Sequence, residues 1–429
     1  MILMNKVAGY LPRLVETEIE RSMKVMGAVS LEGPKACGKT WCARYLCKSE
    51  FSLVDPTGNF SNRKYAEIDP MLALEGEQPH LIDEWQDVPK IWDAVRYSID
   101  SDGGKGKYIL CGSSSVDKSS ISHSGSGRIS PIRMHTMSLF ESKESDGKVS
   151  LDGLFRGEIS TKRAKEHSLK ELSAMIVRGG WPGLLEADSD AVSRELQRYL
   201  LNACSIDAQK IDGRKRNVQG LMRTIRSLAR NESTLANQST IAKDTGEFDG
   251  DPLSIPTVED YLNVLNRLFL TEDQFAFSPQ FRSSLRVGKN PKRHLADPSL
   301  SVAALGLNMT SLMEDPNTFG FMFEALCERD LRIYAQCHGG SLFHYRDYKD
   351  REVDAVLEIP GRGWGAFEIK LGSNQEDAAA EALLSMRDMM VRNEAKKLPE
   401  FLCVICGTGD IAYRRDDGVF VVPITSLGP

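Results

Sequence analysis

Gly33-Pro34-Lys35-Ala36-Cys37-Gly38-Lys39-Thr40 satisfies every position of a G-x-x-x-x-G-K-[ST] phosphate loop. The apolar run Met26 to Leu31 leads into it and the helical-looking run Trp41 to Leu46 leads out, which is the strand-loop-helix setting the motif requires. Glycines let successive backbone N–H groups turn inward on a triphosphate, and the helix beyond them points its positive dipole end at the same anion. Gly33 through Thr40 are therefore the expected ATP-binding residues, with Lys39 reaching the β- and γ-phosphates and the Thr40 hydroxyl facing Mg²⁺. The alternative is a glycine-rich turn with a chance lysine. Cys37 lies among the phosphate-facing positions, so a reactive thiol that ATP protects from alkylation is expected.

Working outward, Leu81-Ile82-Asp83-Glu84 reads as an apolar strand ending in paired acids, entered through Pro79-His80. Such a strand carries both carboxylates to the sheet edge where the phosphates lie. Asp83 is the expected Mg²⁺ ligand and Glu84 the expected base for the attacking water; a solvated strand end is the plainer reading. A third strand, Lys107 to Gly112, ends in Ser113-Ser114-Ser115, and Ser113 is placed to sense the γ-phosphate unless the serines are simply loop. Past the glycines of His123 to Gly127, Arg128 and Arg133 are candidates for stabilising transition-state charge in the same or a neighbouring subunit, against a solvated arginine loop.

Composition bounds the rest. A chain of 429 residues is too long for one core, and residues 9–30, with Leu11, Leu14, Val15 and Ile19 spaced for one face, read as a mostly helical lead-in. With 54 basic and 60 acidic residues the net charge is -6, so any nucleic-acid binding rests on local patches. No apolar run approaches the roughly 20 residues of a membrane span, and Met1 to Lys6 lack a signal-peptide pattern. Nine cysteines without regular spacing fit a reducing cytoplasm. Cys403 and Cys406, inside Phe401-Leu402-Cys403-Val404-Ile405-Cys406, read as a buried strand and not as half a zinc site.

These motifs, together with Trp85-Gln86, Gly112-Ser113, Gly127-Arg128, Met134, Ser138-Leu139-Phe140-Glu141-Ser142, Arg178-Gly179-Gly180-Trp181-Pro182-Gly183 and His294 to Ser299, resemble the AAA-type ATPases that carry a C-terminal DUF4143 region. The resemblance spans most of the chain and implies a nucleotide-hydrolysing core without a defined biological role.

After a polar stretch around Asp146-Gly147, Leu169, Leu172, Ile176, Leu196, Tyr199 and Leu200 recur at helical intervals as a lid. Arg178 is either a second sensor or part of a structural turn. Between Asn217 and Phe281, helices around Leu221 to Leu228, Ser239 to Thr245 and Pro256 to Phe269, followed by a β-ribbon over Phe269 to Phe277, suggest a winged helix. Lys210, Arg214, Lys215, Arg216, Arg223, Arg226 and Arg230 concentrate positive charge nearby; Glu259 and Asp260 on the third helix argue against groove reading, leaving DNA and protein docking both open.

Beyond residue 291, Val353 to Glu358 and Trp364 to Leu371 form a hairpin through Pro360-Gly361-Arg362-Gly363. Period-two geometry puts Asp354 opposite Glu368 and on one face with Lys370. That arrangement resembles the PD-(D/E)xK nuclease core, which implies Glu324, Asp354 and Glu368 as Mg²⁺ ligands and Lys370 as the catalytic lysine. Glu352-Val353 stands where the family has Pro-Asp, and an inactive scaffold or a surface ion cluster remains open. The expected fold class is α/β: an AAA-type P-loop core over 1–165, a helical lid or linker over 166–215, a winged helix over 216–290 and a restriction-endonuclease-like α/β domain over 291–429. The expected function is ATP hydrolysis on or near DNA, in a cytoplasmic homo-oligomer. A nucleotide-gated protein adaptor and an ATP-controlled nuclease are the alternatives.

Overall fold

The computed structural model describes residues 9–115, 121–165, 167–246, 251–280, 282–284, 286, 290–347 and 351–429. The expected absence of a signal peptide falls on Met1 to Lys6, outside the described residues. Backbone packing divides the chain into two units, the first being Met1–Thr136 with Ser205–Arg216 and Asn263–Leu270.

Helix α1 (Glu16–Met23) precedes β1 (Ala28–Glu32), and α2 (Lys39–Leu46) follows the phosphate loop. Then come β2 (Ser49–Ser52), α3 (Thr57–Ile68), β3 (His80–Asp83), α4 (Lys90–Asp102), β4 (Tyr108–Gly112) and β5 (Ile129–Arg133). The strands form one parallel sheet in the order β2-β3-β4-β1-β5. All of β3 and β4 is buried, as expected of strands covered on both faces. Pro89 starts α4 and Gly103, at φ 65°, ends it, while Ile91, Trp92, Val95 and Ile99 turn its apolar stripe into the core beneath Ile82 and Leu110. Register sets Glu32 beside Gly112 and Arg133, and Asp83 beside Cys111, so these strands end along one edge. Strand order reverses at β1, and at such a switch point a crevice opens outside the strand ends. The lead-in is less helical than its spacing implied, because only Glu16–Met23 coils.

The second unit comprises Met137–Cys204, Asn217–Leu262 and Thr271–Pro429. It opens with β6 (Val149–Ser150) and β7 (Lys162–Arg163). Helices α5 (Leu169–Arg178), started by a Ser168–Glu171 capping box, and α6 (Ser189–Asn202) follow. After α7 (Val218–Arg230), α8 (Gln238–Asp244) and α9 (Ile255–Arg267, of which the residues from Asn263 onward belong to the first unit) come β8 (Thr271–Gln274), β9 (Lys292–Leu295) and α10 (Pro298–Leu305). The remainder runs α11 (Pro316–Cys337), β10 (Ser341–Arg346), β11 (Glu352–Ile359), β12 (Gly363–Lys370), α12 (Glu376–Arg392), β13 (Phe401–Cys406), β14 (Ile411–Arg414), β15 (Phe420–Pro423) and β16 (Leu427–Gly428). A mixed sheet has the order β10-β11-β12-β13-β15-β14-β7. Ala379, Ala380, Leu383, Met386 and Met390 of α12 pack on Val356, Trp364, Ala366, Leu402 and Val404. Cys403 and Cys406 lie buried in β13, as their apolar neighbours indicated.

The ribbon expected within 269–277 is not a local hairpin. Thr271–Gln274 pairs antiparallel with Lys292–Leu295, and the chain beyond it is drawn to β10, where the Phe277 N–H donates to the His344 carbonyl at 2.7 Å. Phe277 is buried, its ring 4.8 Å from that of Trp364. Burial of an aromatic side chain outweighs the small gain of a two-stranded ribbon.

Candidate functional site

The phosphate loop owes its path to close backbone approach. A Cβ on Gly33 would lie 2.2 Å from the Met134 carbonyl oxygen, and Gly38 sits at φ 105° where α2 begins. The Arg13 guanidinium braces the loop from behind, donating to the carbonyls of Cys37 at 2.7 Å and His135 at 2.9 Å. Lys39 is buried and its Nζ donates to the Gly33 and Pro34 carbonyls at 2.8 and 2.9 Å, which keeps the ammonium inside the curl of the loop. Cys37 departs from expectation. Its side chain is 0% exposed and its thiol donates to the Met134 carbonyl at 3.6 Å, turned into the core and away from the phosphate side. Iodoacetamide is accordingly expected to leave Cys37 of the native protein unmodified with or without ATP, which peptide mass mapping checks.

The Thr40 hydroxyl donates to Asp83 Oδ1 at 3.0 Å. Burial pushes the Asp83 carboxyl up to about 6, with Thr40 pulling it down and the Glu84 charge pushing it further up. A pKa raised above its unfolded value contributes stability that is full below about 3.8 and is lost as pH rises through about 6. Asp83→Asn is therefore expected to stabilise the metal-free protein by about 1–3 kcal/mol at pH 8, and by almost nothing at pH 4, in urea titrations.

Glu84 leaves the strand with φ 55° and ψ 41°, a left-handed conformation uncommon for a glutamate. Its Oε2 accepts from Ser113 Oγ at 3.0 Å and from the Gln86 side-chain amide. Glu84 and Ser113 line a cavity of about 420 Å³ whose walls include Lys35, Asp87, Asp207 and Lys210. Lys35 belongs to the expected ATP-binding stretch and Gln86 to the segment that carries the resemblance, but Asp207 was not singled out from the sequence. Lys35 was visible inside the loop, whereas nothing local marks Asp207, which arrives on the distant Ser205–Arg216 segment. Arg128 donates from Nε to Asp100 on the surface at 2.6 Å. Arg133, at the end of β5, donates to the Phe269 carbonyl at 3.1 Å and stacks its guanidinium 4.3 Å from the Phe269 ring. Arg178, in the second unit, pairs with Glu144 and donates to the Leu185 carbonyl, the engagement of a structural turn.

The basic concentration is largely spent within the fold. Arg216 forks onto Asp212 at 2.7 and 2.8 Å, Arg223 donates to the Thr245 carbonyl and Arg230 pairs with Asp244. Arg214, Lys215 and Arg226 are exposed.

In the second unit the hairpin register runs Val356–Ala366 and Ala355–Phe367, so one further step sets Asp354 across from Glu368. Asp354 Oδ2 accepts from the Ile369 N–H at 2.7 Å and from Lys370 Nζ at 3.2 Å, and Lys370 Nζ lies 2.7 Å from Glu368. Glu324 also converges here, but Lys292 holds it at 2.7 Å and lies 3.5 Å from Glu328. Burial together with the Asp354 charge raises the carboxyls of Glu324 and Glu368 well above the ordinary range. Each acid of the set already has an ammonium against it. Among the described residues no group of three or more His, Cys, Asp or Glu side chains is arranged to hold a metal ion. The donor set thus does not fit the Mg²⁺ that the nuclease resemblance implies, and Lys292, from a strand far upstream, is what the sequence reading lacked.

Residues 26–143 match a family model described as an AAA domain, 169–311 one described as a domain of unknown function (DUF8612), and 319–427 one described as a domain of unknown function (DUF4143). Uncharacterized protein Rv2008c of Mycobacterium tuberculosis and uncharacterized protein Mb2031c of Mycobacterium bovis are each 24% identical over 414 residues, covering 95% of this chain and 82% of theirs. Among solved structures, the Walker-type ATPase PABY2304 of Pyrococcus abyssi aligns at 14% identity and a TM-score of 0.42, covering 71% of this chain and 98% of that one. No helix among the described residues is long and apolar enough to cross a membrane. The phosphate loop on its parallel sheet makes the first unit a P-loop ATPase, similar over residues 26–143 to AAA domains.

Proposed function

We propose that the first unit hydrolyses ATP with Lys39, Thr40, Asp83, Glu84 and Ser113 in distinct roles, and that the chain acts on or near DNA. The observation that carries the hydrolytic reading is the convergence of these side chains at one edge of the parallel sheet, around the point where strand order reverses. Lys39 exchanges the Gly33 and Pro34 carbonyls for phosphate oxygens, and the loop amides hold the remaining charge. Thr40 and Asp83 would hold Mg²⁺, which supplies charge neutralisation on the phosphates when bound. Glu84 takes a proton from the attacking water once its carboxylate turns from Ser113 and Gln86, and Ser113 sets where that carboxylate rests. Arg128 or Arg133 completes the charge stabilisation in a neighbouring copy of the chain, which makes the working form an oligomer.

The DNA reading draws support from exposed Arg214, Lys215 and Arg226 and from helices α7 to α9, which carry the winged-helix reading of 216–290 without its ribbon, since β9 lies beyond that range. ATP turnover measured with and without duplex and single-stranded DNA tests it. Stimulation that falls with rising salt supports DNA as partner; no stimulation and no shift of any DNA form favours the protein-docking adaptor instead. The converging Glu324, Asp354, Glu368 and Lys370 keep a nuclease-like origin for 291–429 in view. There Lys292 sits against Glu324 and Lys370 against Glu368, so the acids are neutralised by lysines.

A further inference from the structure

Lys35 sits two positions into the phosphate loop, and its Nζ lies 2.5 Å from Asp207 Oδ1. Both side chains line the cavity of about 420 Å³ that also contains Glu84 and Ser113, so the pair stands on the side of the loop where hydrolysis would take place. The two partners differ in freedom. The Lys35 side chain is 45% exposed and Asp207 only 14%. The segment bearing Asp207 is pinned by Arg267, whose Nη2 donates to the Ile211 carbonyl at 3.0 Å while the Arg267 carbonyl accepts from the Ser115 N–H at 2.9 Å. A fixed carboxylate therefore holds a mobile loop ammonium in the cavity.

We infer that Lys35 is the residue that distinguishes a nucleoside triphosphate from a diphosphate, and that Asp207 is a built-in competitor for it. The inference rests on the ATPase reading of the same site. A terminal phosphate is a denser anion than a carboxylate and draws Lys35 away from Asp207; a diphosphate, lacking that group, leaves the pair intact. This gives the two halves of one ion pair opposite effects on binding, which a merely structural bridge does not do.

Calorimetric titration of the full chain with AMPPNP and with ADP, both in Mg²⁺, tests this. Asp207→Asn, nearly isosteric, is expected to tighten AMPPNP about fivefold and leave ADP within about twofold, the size appropriate to a half-exposed pair. Lys35→Ala is expected to weaken AMPPNP about tenfold with ADP again unchanged, and unchanged ADP affinity certifies an intact loop in both variants. The double variant should behave as Lys35→Ala alone, since Asp207 acts through Lys35. Weaker AMPPNP binding by Asp207→Asn, or equal shifts for the two nucleotides, overturns the inference while the ATPase reading stands. Wild-type protein that binds neither nucleotide removes both.

Discussion

Glu84→Gln is expected to lower ATP turnover by about two to four orders of magnitude while leaving ATP affinity within a few-fold. The amide keeps the shape of the side chain and can still accept from Ser113, but it has no basic oxygen for the proton of the attacking water. Lys39→Ala is the contrasting case: it removes an ammonium that sits inside the loop against the Gly33 and Pro34 carbonyls, so binding and turnover fail together. Phosphate release and nucleotide calorimetry on the two variants separate the roles. Either variant turning over ATP at the wild-type rate would sink the assignment.

Arg329→Met should have the largest effect on stability in the second unit, about 3–5 kcal/mol. Arg329 is 3% exposed, donating to Asp297 at 3.0 Å and to Asp330 at 2.7 Å, and both carboxylates are fully buried. Asp297 in turn accepts from the N–H groups of Gly180 and Ser299, and Asp330 from the N–H of Leu139, so neither acid can swing out to water. Methionine fills the volume and strands two charges. Burial already raises the Asp330 carboxyl, and without the guanidinium it rises further, so the loss should shrink as pH falls and the acids protonate. Urea unfolding at pH 5 and pH 8 reads this; equal losses at both would point to packing alone.

What could be read from residue order was what strand ends and tight turns dictate. The phosphate loop, Asp83-Glu84 and Ser113 are strand ends, and a parallel sheet places such ends together whatever else surrounds them. The Asp354–Glu368 register was legible for a similar reason, since the Gly361 and Gly363 turn leaves the hairpin one way to close. Contacts that neither a strand end nor a turn imposes were not legible. Asp207 on the loop lysine, Lys292 on Glu324 and Phe277 leaving its ribbon for the Trp364 core each depend on where a remote segment packs. Cys37 illustrates a subtler limit: the motif gives the path of the backbone amides but not which side chain turns inward, and here the core took the thiol.

The Arg13 brace bears on how the ATPase unit can be divided. A fragment cut at residue 26, where the AAA match starts, would retain every motif residue yet lose the guanidinium that joins the carbonyls of Cys37 and His135. Two buried acceptors would then need water, and the loop between Gly33 and Gly38 would be free to sample shapes that do not suit a phosphate. Such a piece would register as a weak nucleotide binder for want of preorganisation alone. The functional boundary of the ATPase thus lies upstream of its sequence signature.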